Sequence, residues 1–74
     1  MIVLRELEPP ELAAADHLIG ERLCVWRRRY REARQAGLDQ LEAATFADSP
    51  ADIGVLRDLV DRGCEPRLIA EIVL

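Results

Sequence analysis

Proline and glycine interrupt this chain at intervals that leave room for helices and little else. Pro9 and Pro10, Gly37, Ser49 with Pro50, and Gly63 followed by Pro66 divide it into an opening arm and four further segments. Proline suits the first turn of a helix, where its missing N–H is not needed, and glycine suits the residue just past a helix end, where a left-handed backbone is required. The expected fold is therefore all-α: a small bundle of one long N-terminal helix and three shorter ones, preceded by an extended apolar arm. The arm covers residues 1–8, the long helix 11–36 and the three short helices 39–74, all within one domain spanning 1–74.

Each segment carries its own start signal. In LDQLE, Asp39 is placed as an N-cap, Glu42 as its capping-box partner three residues on, and Leu38 as a hydrophobic staple, giving a short helix over about 40–47. In SPAD, Ser49 is the expected cap and Pro50 the first helical residue of a helix running to about Arg62. Pro66 opens the last helix, whose Leu68, Ile69, Ile72 and Val73 form one apolar strip. The opening MIVLREL is β-prone, but no later segment offers it a partner strand. Ile2, Val3 and Leu4, like Ile72, Val73 and Leu74, are expected to dock on the bundle or on another chain.

With 74 residues, a core of this size supplies only roughly 3–5 kcal/mol of net stability, so assembly with a partner is a reasonable expectation. All ten basic residues are arginine, a bias suggesting a bacterial or phage genome, while the net charge is −4. That balance argues against a surface built throughout to neutralise phosphates. No apolar run is long enough for a membrane span and the start lacks a signal-peptide pattern, so the expected compartment is the cytoplasm.

Catalytic parts are missing. The single His17 with the distant Cys24 and Cys64 makes no zinc set, and there is no phosphate loop, HExxH or nucleophile elbow. No cofactor, metal or enzymatic activity is expected, and Cys64 reads as a small apolar residue of a turn.

The stretch VWRRRYREARQAG is the densest feature of the chain. On a helical wheel at about 100° per residue, Leu12, Ala15, Ile19, Leu23, Tyr30 and Ala33 fall within roughly 60° of Trp26, which marks the core stripe. Leu18, Val25 and Ala36 form a second apolar shoulder, set apart from the stripe by Arg22 and Arg29. This shoulder is either covered by a curved helix with snorkelling arginine stems, or it meets another chain. Arg27, Arg31 and Arg34 project to one side, Arg28 to the back and Arg29 to the other. Guanidinium forks match carboxylates and phosphates, so Arg27, Arg31 and Arg34 are candidate contacts for an acidic partner. Leu18, Val25, Arg22 and Arg29 are candidate contacts on the shoulder. The alternative to both is a solvated helix face.

The stretch VLRDLVDRGCEPRLIAEIVL resembles the first half of a helix-turn-helix of LuxR-type regulators, with a helix, a glycine turn and a second helix containing Ile-Ala-Glu. It also looks like a ubiquitin-associated domain, with Arg62-Gly63-Cys64 where that family has Met-Gly-Phe. The first resemblance implies a dimeric transcriptional regulator binding DNA, and the second a protein-binding face. The primary expectation is a small non-catalytic protein-protein interaction module, an accessory subunit or regulatory adaptor binding another protein or a second copy of itself. DNA binding through the arginine cluster is the runner-up.

Overall fold

A computed structural model describes residues 7–74, and these form five helices with no strand among them: α1 Pro9–His17, α2 Gly20–Gln35, α3 Gln40–Asp48, α4 Ile53–Asp61 and α5 Pro66–Val73. Most of the arm expected over 1–8, including Ile2, Val3 and Leu4, lies outside the described residues.

The expected long helix over 11–36 is two helices. Leu18 and Ile19 take extended backbone, and Gly20 follows with φ at +58°, in the left-handed region. The break makes the described chain shorter than one continuous helix would be. A continuous helix over 11–36 would run to roughly 39 Å at 1.5 Å per residue, whereas the longest dimension of the molecule is 33 Å. Breaking at Leu18 folds α1 back along α2, so that Glu8 reaches Tyr30 and Arg34, 22 and 26 residues further on.

The break also shifts the phase of the apolar stripe. Leu12, Ala15 and Ile19, expected in the core, are exposed, and Ile19 is 83% so. Ala14 takes the inward position on α1, and Leu18 packs partly buried against the core. On α2 the stripe is as read: Trp26, Tyr30 and Ala33 are buried and Leu23 packs against them.

Both glycine turns close as Schellman motifs. After α2, the Leu38 N–H donates to the Ala33 carbonyl and the Gly37 N–H to that of Arg34, with Gly37 at φ +102°. After α4, Cys64 N–H donates to Leu59 and Gly63 N–H to Val60, with Gly63 at φ +77°. The first motif turns Leu38 fully into the core and leads directly into α3. There Asp39 accepts from the Glu42 N–H at 2.7 Å and Glu42 returns the contact to the Asp39 N–H at 3.0 Å, the expected capping box.

The start of α4 differs from expectation. Ser49 serves the helix behind it: its hydroxyl donates to the Phe46 carbonyl at 2.8 Å and accepts from the Ala51 N–H at 3.2 Å. Pro50 therefore sits in a linker, and Asp52 caps α4 by accepting from the Gly54 N–H at 2.8 Å. The helix begins only at Ile53, which puts Ser49 too far back to cap it and leaves its oxygen to the Ala51 N–H in the linker.

The core joins all five helices through Trp26, Tyr30, Ala33, Leu38, Phe46, Leu56 and Ile69, with Ala14, Ala43, Ala47 and Ala70 between them. Trp26 and Tyr30 stack with ring centroids 5.2 Å apart and planes 9° from parallel. Of the C-terminal trio, Val73 is half-buried, while Ile72 and Leu74 are exposed. Cys64 packs at the edge of the core, and Cys24 and His17 are exposed. No helix among the described residues is long and apolar enough to cross a membrane.

Candidate interaction surface

Helix α2 divides its arginines between the interior of the fold and its surface. On the flank facing α1, Arg34 grips Glu8 with both arms of its fork, Nε to Oε1 at 2.8 Å and Nη2 to Oε2 at 2.9 Å, and its Nη1 donates to the Leu38 carbonyl. Glu8 also accepts from the Tyr30 hydroxyl and the Gln40 amide, each at 2.9 Å. Four donors on one carboxylate stabilise its charged form, led by the Arg34 contact, and hold Glu8 at a pKa of about 2. Burial, followed by the charged acceptor at its hydroxyl, pushes Tyr30 well above its ordinary value.

Arg27 and Arg31 turn to a second carboxylate. Their Nε atoms lie 3.5 and 3.4 Å from the same Glu11 oxygen, and Glu11 is only 4% exposed. The three arginines read as a socket for an acidic partner thus have acidic partners already within the chain, and these are the residues that tie α1 to α2.

On the other flank, Arg29 acts as a bracket for the linker after α3. Its Nη2 lies 2.9, 2.8 and 2.6 Å from the carbonyls of Phe46, Ser49 and Ala51, and its guanidinium carbon sits 4.6 Å from the Phe46 ring centroid. Two hydrogens serve three acceptors, so at least one is shared. Arg29 is consequently separated from the shoulder residues with which the sequence groups it.

The remaining shoulder residues do come together. Leu18, Arg22 and Val25 line a groove of about 430 Å³ with Trp26, Ala47 and Asp48, and Glu21 completes its rim. The Trp26 indole N–H donates to Asp48 at 2.7 Å across its floor. A second hollow, of about 250 Å³, shares Leu18, Trp26 and Asp48 and continues between α1 and α3 past Ala13 and Ala44. Val25 is 51% exposed at the groove wall. Ala47 and Asp48 were not legible as site residues, because only the docking of α3 on α2 brings them there. Among the described residues no group of His, Cys, Asp or Glu is placed to hold a metal.

The Glu8 cluster sets a pH dependence. Its pKa is lowered from 4.5 to about 2 in the folded chain, so its contribution to stability is complete above about pH 4.5 and is lost as the pH falls towards 2. Urea unfolding should show wild type more stable than Glu8→Gln at neutral pH, with the gap closing between pH 4.5 and 2. A gap that persists unchanged at pH 2 would contradict this assignment.

Comparison with family models, with curated proteins and with solved structures finds no match to this chain.

Proposed function

We propose that the chain is a non-catalytic protein-binding module of the cytoplasm, an accessory subunit or regulatory adaptor, and that it binds its partner through the groove between α2 and α3. The observation that carries this reading is the groove's composition. Leu18, Val25, Trp26 and Ala47 provide an apolar wall and floor, with Glu21, Arg22 and Asp48 at the rim. An apolar centre inside a polar rim is the anatomy of an interface, where a buried side chain supplies affinity and the rim supplies orientation. Ile19, next to Leu18 in the chain and 83% exposed, extends the apolar surface beyond the groove.

The DNA-binding reading loses support from the same geometry. Arg34 and Arg29 are each engaged through several contacts by groups of the chain itself. In the helix-turn-helix-like stretch, Arg57 pairs with Glu32 and Arg62 with Asp58. Phosphate contacts would have to compete with those pairs.

A photo-crosslinking residue at position 22 tests the proposal in extract of the source cells, with the same residue at position 67 on α5 as control. A discrete adduct is expected from position 22 only, and Val25→Asp should abolish it. Val25 is half exposed, so the substitution should change folding stability by no more than about 0.5 kcal/mol. Equal adducts from both positions, or an adduct that survives Val25→Asp in a folded chain, would overturn the assignment.

A further inference from the structure

The face of α2 turned away from the core carries a second depression, of about 340 Å³, lined among the described residues by Cys24, Arg27, Arg28, Arg31, Glu32 and Gln35. Their spacing of three, four and seven residues places them along one side of the helix. Nothing in the protein-binding reading uses this groove.

Its charge is not balanced by the fold. Arg27 and Arg31 share one Glu11 oxygen at 3.5 and 3.4 Å, the long end of ion-pair contact. Arg27 Nε and Nη2 are buried without a hydrogen-bond acceptor. Arg28 has no ion-pair partner among the described residues, and Glu32, the one carboxylate on the groove wall, is matched by Arg57. Three guanidiniums against Glu11 leave two positive charges in excess, in a chain whose net charge is −4. Buried or half-buried cations short of acceptors are costly unless an anion completes them.

We propose that this groove binds the phosphate group of a small ligand, either free phosphate or a phosphate monoester. A phosphate near neutral pH brings close to the two negative charges the groove lacks, and its tetrahedral oxygens accept from several guanidinium N–H groups at once. The groove has no aromatic wall on which a nucleobase would stack, which places recognition on the phosphate. Arg28 and Arg31 supply the accessible donors, and Arg27 adds charge from behind them.

The test is titration of the folded chain at pH 7 and fixed ionic strength with inorganic phosphate, O-phosphoserine and succinate, read from the arginine Nε–Hε resonances. Phosphate or phosphoserine should produce saturable shifts at Arg27, Arg28 and Arg31, with Arg62 and Arg67 unmoved. The tighter of the two probes identifies a free anion or an ester as the natural form. Arg28→Gln, which removes no hydrogen bond or ion pair within the described fold and only a charge near Glu32, should weaken binding about tenfold or more, the loss of one charge-assisted hydrogen bond. Arg28→Lys should recover only part of it, and Arg67→Gln should change nothing. Absence of saturation, equal binding of succinate, or equal weakening by Arg67→Gln would overturn the proposal.

Discussion

Truncating Trp26 to alanine should leave the chain largely unfolded at room temperature. The side chain is 7% exposed, stacks on Tyr30 and donates to Asp48 at 2.7 Å. Removing a buried tryptophan costs about 3–5 kcal/mol, comparable to the whole net stability of roughly 3–5 kcal/mol available to a domain of this length. Trp26→Phe separates the contributions, because it keeps a ring against Tyr30 and loses the indole N–H. It should remain folded with a lowered urea midpoint. A folded alanine variant with the wild-type midpoint would show that the stripe on α2 is not the centre of the core.

Arg29→Ala is expected to have the second largest effect, although the residue is a charged one on a helix flank. The carbonyls of Phe46, Ser49 and Ala51 all accept from its Nη2, and the guanidinium covers the Phe46 ring. The Phe46 carbonyl keeps the Ser49 N–H and hydroxyl, while those of Ser49 and Ala51 lose their donor; part-buried carbonyls so stranded cost about 1–3 kcal/mol each before water re-enters, so a net loss of about 2–3 kcal/mol is expected. The loss should have a location. Amide exchange should rise first in residues 49–56, where the linker and the first turn of α4 lose their bracket. Arg29→Lys keeps one nitrogen able to donate to these carbonyls but loses the planar guanidinium over the Phe46 ring, and should recover only part of the stability. Uniform destabilisation without a local rise in exchange would argue against the bracket.

The sequence carried the parts of the fold that depend on neighbours within a few residues. Gly37 and Gly63 closed their helices, Asp39 and Glu42 built their capping box, and Pro66 opened the last helix, because each is decided by local backbone chemistry. The break at Leu18 and Ile19 was not legible in that way. Gly20 is tolerated inside a helix at a cost of about 1 kcal/mol, so its presence alone does not separate a bend from a continuous helix. What decides is Glu8 meeting Tyr30 and Arg34, a contact between residues far apart in the chain. Ser49 does not cap α4 because the helix starts at Ile53, three residues later than the Pro50 signal indicates, where Asp52 accepts from the Gly54 N–H.

The candidate site shows the same division. The structure gathers Leu18, Arg22 and Val25 around one groove; Arg22 and Val25 share a face of α2, whereas Leu18 reaches it from the extended link before Gly20 and not from the continuous helix on which the wheel had placed it. The wheel also grouped Arg29 with them, and there the docking of α3 intervened. For Arg27, Arg31 and Arg34 the wheel gave the direction correctly, but Glu11 and Glu8 lie in that direction only once α1 has folded back. Charge on a helix face is visible in a sequence, whereas the partner that neutralises it is not.

Arg27, Arg31 and Arg34 pair with Glu11 and Glu8 and so hold α1 onto α2, while the groove proposed for a partner lies on the opposite flank. Urea unfolding of the triple variant Arg27→Gln, Arg31→Gln, Arg34→Gln tests that hold most directly, with Val25→Asp measured alongside. Partly exposed ion pairs are screened, so the bidentate Arg34–Glu8 contact should dominate and the triple variant should lose about 1–2 kcal/mol. Val25→Asp should unfold at nearly the wild-type midpoint. A triple variant as stable as wild type would show instead that these arginines do not tie α1 to α2.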